Sequence, residues 1–205
     1  MRKFLKIFGI TLLILLFLVF IFILILIIKG KSWRTSFESS IKEEYIVSSI
    51  SEEKNVLNEK IEEYIMSSES VDFIEFTPLE ISQYLYNTLF EMTVGTSLNI
   101  LELYITPGND VWNVCTLLNI SNFEKFDFWL CMDVTKDNMQ TAQLYVEDIT
   151  LDGFDIGKIY PKILTQINQG IAEALTTANE NGFVGRMLEN IELQQDQLII
   201  KGSQY

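Results

Sequence analysis

The longest unbroken pattern lies at the start of the chain, where residues 7–28 are 22 consecutive positions without a charge, dense in Leu, Ile and Phe. As a helix they would reach ~33 Å, enough to cross a bilayer core. A secretory signal carries a shorter apolar run followed by small residues at a cleavage site, whereas this run is followed by KGKSWRTSF. The pattern therefore predicts an uncleaved anchor. A buried helix of a soluble core rarely needs so long an apolar stretch.

From residue 35 the apolar positions thin out to helical spacing, at Phe37, Ile41 and Tyr45 and then at Leu57, Ile61, Tyr64 and Ile65. Ser51 is a candidate N-cap, with Glu52 and Glu53 in the first turn where the helix dipole favours them. Residues 29–70 read as a membrane-proximal helical stalk or bracing helix. Val71 to Phe76 looks strand-like. Thr77-Pro78-Leu79-Glu80 then matches a capping box with proline at the first helical position. The helix it opens carries Ile81, Tyr84, Leu85, Leu89 and Met92 on one face and stops near Gly95.

Four strand-like runs follow, over 98–106, 111–120, 125–134 and 141–150, separated by PGND, SN and KDN. Short connections favour antiparallel neighbours, so the runs predict a meander and not a βαβ unit. In the second and third runs Trp112, Val114, Leu118, Ile120, Phe126, Phe128, Leu130, Met132 and Val134 share a core face. The opposite face mixes Leu117 and Trp129 with Asn113, Asn119, Asp127 and Asp133. In the first run Leu101, Leu103 and Ile105 stand opposite Leu98, Ile100 and Tyr104. The second face is either covered by the N-terminal segment or is an apolar groove or partner surface.

After Gly153 and Gly157 a long helix begins near Pro161. Its stripe of Ile163, Leu164, Ile167, Ile171, Ala174, Leu175 and Ala178 suits a helix lying across a sheet, and Asn181-Gly182 is its stop signal. The segment MLENIELQQDQLIIKG reads as a terminal hairpin or one bent strand. The fold class is therefore α+β: a mostly antiparallel sheet with amphipathic helices packed on it, after one transmembrane helix. The expected division is a tail over 1–6, an anchor over 7–28, a stalk over 29–70 and a folded domain over 71–205.

Charge sharpens the division. The first 34 residues hold six basic and no acidic side chains, so the rest of the chain sets nine basic against all 28 acidic ones. A domain of that sign is repelled by phosphate backbones and anionic headgroups, which argues against a nucleic-acid partner, while the basic collar suits a membrane surface. Arg2, Lys3 and Lys6 are matched by Lys29, Lys31 and Arg34, so basic residues alone do not orient the anchor. The short tail is expected in the cytoplasm and the large domain outside it.

Candidate chemistry is sparse. With no histidine, Ser-His-Asp and Cys-His catalysis are excluded, and no phosphate-cradling GxxxxGK[ST] is present. Two cysteines without histidine do not make a zinc site. Glu147, Asp148, Asp152 and Asp155 form the densest carboxylate cluster, but the D-x-D-x-D-G pattern of a calcium loop is missing and a solvated strand end is the simpler reading. No metal, cofactor or enzymatic activity is expected. Cys115 and Cys131 are an even number of residues apart and would project from one face of the hairpin, where they could bridge in an oxidising compartment or remain as small buried hydrophobes.

With its amino-terminal anchor, FTPLEISQYLYNTL opening the domain, a meander, EDITLDGFDIGKIYPKILTQINQGI and a terminal IELQQDQLIIKG, the chain resembles the YpmS-like family of small membrane-anchored bacterial proteins. It is also similar in pattern to tubular lipid-binding and AsmA-like modules. That resemblance implies a curved sheet with a helix along it, enclosing an apolar groove for acyl chains of membrane lipid. Phe126, Phe128, Leu130, Leu144, Ile163, Ile167 and Ile171 would line the groove. The competing expectation is a structural protein that docks a membrane-protein partner through Leu117 and Trp129.

Overall fold

The computed structural model describes residues 2–42, 45–50, 54–69, 71–121, 126–136, 141–177 and 186–204. It comprises two compact units, Met1–Ser40 and Ile41–Tyr205. The first is a single helix, α1 (Arg2–Ser40). Its stretch Leu16–Ser40 is long and apolar enough to be a membrane anchor or a signal segment. Beyond the apolar run the helix continues. Trp33 stacks on Phe37 with ring centroids 4.8 Å apart, Arg34 pairs with Glu38 at 2.7 Å, and the hydroxyls of Thr35, Ser39 and Ser40 donate to carbonyls one turn back.

The second unit is α+β, built on antiparallel sheets. Its elements are β1 (Ile46–Val47), α2 (Lys54–Met66), β2 (Val71–Phe76), α3 (Pro78–Thr93), β3 (Leu98–Thr106), β4 (Val111–Ile120), β5 (Asp127–Thr135), β6 (Tyr145–Leu151), β7 (Phe154–Asp155), α4 (Ile156–Ile159), α5 (Lys162–Thr177), β8 (Arg186–Leu193) and β9 (Leu198–Gln204). One sheet has the order β1-β3-β4-β5-β6-β7 and the other β2-β9-β8. The expected meander forms as β3 to β6. The terminal segment forms a hairpin, whose second strand pairs with β2 along its full length.

Several expectations are sharpened or corrected. α2, within the segment expected to be a stalk or bracing helix, buries Leu57 and Tyr64 in the main core, since an isolated short helix is marginal until an apolar face is packed. The N-cap expected at Ser51 and the stop at Asn181-Gly182 lie outside the described residues. β3 does not alternate simply. A bulge between Ile100 and Glu102 shifts the register, so Ile100, Leu103 and Ile105 all reach the core, while Leu101 is 37% exposed. An extra residue in one strand switches which face the following residues occupy.

The capping box forms as expected. Glu80 N–H donates to Thr77 Oγ1 at 3.2 Å, and Thr77 N–H donates to the Glu80 carboxylate at 2.8 Å. The expected face is kept in part: Ile81, Leu85 and Leu89 pack against the main core, Tyr84 and Met92 are exposed, and the most deeply buried positions are Ser82, Gln83, Tyr86 and Asn87. The polar members are tolerated because their bonds are made. Gln83 Nε2 donates to Asn87 Oδ1 at 2.9 Å and to Ser49 C=O at 3.0 Å, and Tyr86 Oη donates to Ser48 C=O at 3.0 Å. These bonds tie the segment after β1 to α3.

The core contains Ile74 and Phe76 of β2, Ile100, Leu103 and Ile105 of β3, Trp112, Val114 and Leu118 of β4, and Ile191, Leu193 and Leu198 of the terminal hairpin. It draws on both sheets. The sheets are also joined by polar bonds: Trp112 Nε1 donates to Gln194 C=O at 2.8 Å, and Asp110 N–H donates to Leu193 C=O at 2.9 Å. Arg186, 1% exposed, donates from Nη2 to the carbonyls of Ser67 and Glu69 at 2.9 Å each. Its guanidinium lies 4.8 Å from the Tyr64 ring centroid. The end of α2 is thereby pinned to β8.

Candidate functional site

The face of the meander away from this core is a ladder of directly opposed pairs. Asn113 faces Asp133, Cys115 faces Cys131, Leu117 faces Trp129 and Asn119 faces Asp127 across β4 and β5. Asn113 and Asn119 donate to their aspartates at 2.6 Å. Cys115 and Cys131 are joined in a disulfide with Cα atoms 4.0 Å apart, which places the bridge in the centre of the ladder. Leu117 is 7% and Trp129 1% exposed, so the two positions expected to contact a partner present no open surface. Trp129 is also held by its backbone. Its N–H donates to Asp152 Oδ1 at 2.9 Å, and Asp152 N–H donates back to Trp129 C=O at 2.9 Å.

Asp152 and Gly153 make this possible, because both have positive φ, 46° and 77°, and form the two-residue turn between β6 and β7. An Asp-Gly pair between strands is the sequence signal of such a turn. It explains Asp152 better than a metal role does. Asp148 Oδ1 accepts from Ile149 N–H at 2.8 Å, and Asp155 caps α4 by accepting from Lys158 N–H at 2.8 Å. The side-chain hydrogen bond from Lys158 holds the Asp155 carboxyl below its usual range. No group of three or more His, Cys, Asp and Glu side chains able to hold a metal occurs among the described residues.

The α5 side of the molecule is built differently. The helix is fixed to β6 by one amide, since Asn168 Oδ1 accepts from Val146 N–H at 2.7 Å and Asn168 Nδ2 donates to Val146 C=O at 3.0 Å. Gly157 permits the approach: a Cβ there would stand 3.0 Å from Leu164 Cδ1 and 3.3 Å from Asp148 Oδ1. Along the helix Ile163, Leu164, Ile167, Ile171 and Leu175 are only half-buried, and α5 has no fully buried residue. The sequence pattern alone implied that the stripe would be covered.

The structure brings the expected groove residues together only in part. Phe128, Leu130 and Leu144 pack against the main core, as does Leu175, but Ile163, Ile167 and Ile171 do not. Phe126 lies just before β5 and is 57% exposed, its ring 5.9 Å from that of Phe128. Leu144 precedes β6, which begins at Tyr145 and not at residue 141. A hollow of about 270 Å³ lies against the last turns of α5, lined by Ala142, Ala172, Leu175, Thr176 and Leu188 among others. None of the seven expected groove residues lines it. A second hollow, of about 460 Å³, has walls from Tyr45, Pro78, Leu79, Tyr104 and Pro107, with Lys42 and Asp196 also contributing. Its residues come from distant parts of the chain, and no local pattern marks them.

Searches of the chain against protein-family models, curated proteins and solved structures found no match to any of them.

Proposed function

We propose that this chain is a non-enzymatic envelope protein, anchored by α1 with its amino terminus in the cytoplasm and residues 41–205 outside, that binds or shields lipid-like apolar groups. The observation that carries the reading is α5. A helix with five aliphatic residues on one stripe and no fully buried position leaves apolar surface in water that a ligand can cover, at about 25 cal/mol per Å². Exposed Phe126, just before β5, adds apolar surface in water. The pattern-level resemblance to tubular lipid-binding modules supports the same ligand class, and the acidic surface keeps the unit soluble outside the membrane.

Native mass spectrometry of residues 41–205 with titration of a fluorescent fatty acid tests the reading. Saturable uptake that is lost on Ile167→Asn supports it, and an empty unit with no saturable uptake ends it. Loss on Leu79→Asp alone would move the ligand to the hollow beside Tyr104. Protease added to spheroplasts tests the orientation, for which digestion of residues 41–205 is expected. A membrane-protein neighbour crosslinked through α5 would favour a docking role over lipid binding.

A further inference from the structure

We propose that the free edge of β2 is a strand-addition site for an extended segment of a partner protein carrying Lys or Arg at alternate positions. The two edges of the three-stranded sheet are unlike. On β8, Ile191 N–H donates to Thr141 C=O at 3.2 Å and Leu193 C=O accepts from Asp110 N–H at 2.9 Å, so the chain itself occupies that side. β2 has β9 on one side and no strand on the other among the described residues.

The outward backbone groups of β2 can be identified. Phe73 N–H is bonded to the neighbouring Asp72 Oδ1 at 2.8 Å, and Glu75 C=O accepts from Lys60 Nζ at 3.2 Å. The N–H and C=O of one strand residue point to the same side, so Val71, Phe73 and Glu75 present the edge while Asp72, Ile74 and Phe76 bond to β9. The two caps are single surface side chains. An incoming strand can displace both and gain main-chain bonds in exchange.

The surroundings specify the occupant. A cleft of about 400 Å³ runs along this edge beside α2, lined by Lys60, Glu63, Tyr64, Asp72, Phe73 and Glu75 among others. It adjoins a hollow of about 470 Å³ lined by Glu59, Glu62, Glu63, Met66 and Ser67. Five carboxylates therefore face one ammonium, itself held by Glu80 at 2.6 Å, with the buried Arg186 guanidinium against the Tyr64 ring as a further cation. Phe73 and Met66 are 55% and 84% exposed in the midst of them. An added strand would set one row of side chains beside Phe73 and the other towards Asp72 and the α2 carboxylates, which calls for apolar residues alternating with cations.

The test uses the full-length chain in nanodiscs and a synthetic decapeptide of alternating Lys and Val. With Val beside Phe73, the Val residues make the main-chain bonds to β2, so N-methylation of the valines should weaken binding at least about tenfold while N-methylation of the lysines should not. Hydrogen exchange of residues 71–76 should slow on binding. Phe73→Pro removes an outward N–H without breaking a bond to β9 and should match the N-methyl-valine loss. If that variant does not fold, the two methylated peptides decide on the native chain. Equal binding of both methylated peptides would reduce the effect to charge attraction and overturn the proposal. So would absence of binding, or protection of residues 71–76 without peptide in a dimer, which would give the edge to a second copy.

Discussion

α3 and α5 are both 16-residue helices packed beside the same six-stranded sheet, and they are fixed in opposite ways. α3 packs Ile81, Leu85 and Leu89 against the main core and also buries Ser82, Gln83, Tyr86 and Asn87, three of them without an apolar side chain, with Gln83 and Tyr86 bonded to the carbonyls of Ser49 and Ser48. α5 carries the cleaner aliphatic stripe yet buries nothing completely, and Asn168 holds it at one point on β6. An apolar stripe shows which way a helix faces. How deeply it sits depends on whether polar groups around it find partners.

The largest test of the contrast is Tyr86→Ala. It removes a ring that is 4% exposed together with the hydroxyl bond to Ser48, and should lower the stability of residues 41–205 by about 3–5 kcal/mol in urea unfolding. A loss under ~1 kcal/mol would mean that α3 is no better anchored than α5. Next comes Asn168→Leu, which leaves Val146 N–H and C=O without their side-chain partner. A loss of about 2 kcal/mol is expected, with faster hydrogen exchange confined to β6 and α5. Exchange that instead rose over the whole unit would show that α5 is integral to the core.

A smaller effect is expected for Ile167→Asn. Water can reach a half-buried amide, so stability should fall by only ~1 kcal/mol while fatty-acid uptake is largely lost. A fall of 3 kcal/mol or more, measured by thermal unfolding of the same sample, would make the α5 stripe a core element. The smallest effect concerns pH and the α3 cap. Burial raises the Glu80 pKa, but hydrogen bonds from Lys60 and Thr77 outweigh it and hold the carboxyl below its ordinary value. A carboxyl depressed on folding stabilises fully above its unfolded value and loses that contribution as pH falls through the folded one. Below about pH 4.5 the melting temperature should therefore drop slightly more for wild type than for Glu80→Gln. The side chains of Lys60 and Glu80 are 35% and 22% exposed, so the term is under ~1 kcal/mol. Parallel curves for the two proteins would remove the cap's charge from the account.

What could be read from sequence was local. The box at Thr77 and Glu80 needs only three residues of spacing. That Cys115 and Cys131 share a face follows from parity, whereas their direct opposition depends on the register. The meander follows from short turns. What could not be read depended on contacts between distant segments. One extra residue at the Ile100/Glu102 bulge reassigned Leu103, Ile105 and Tyr104, and no residue type there signals it. The split into two sheets rests on β2 meeting β9, more than a hundred positions away. The candidate groove was half legible: the stripe on α5 was visible, but its exposure depends on what the rest of the fold leaves uncovered.

The order β2-β9-β8 has a consequence for how the protein is made. The middle strand is the last of the three to be synthesised, so β2 emerges with neither of its sides paired and waits for a partner that follows roughly 120 residues later. At ordinary ribosome speeds of ~5–20 residues per second this interval is on the order of ten seconds. Throughout it VDFIEF, with Val71, Phe73, Ile74 and Phe76, is an aggregation-prone segment. Asp72 and Glu75 interrupt its apolar run at the spacing expected of gatekeepers, protecting the nascent chain before either residue has any role in the finished fold.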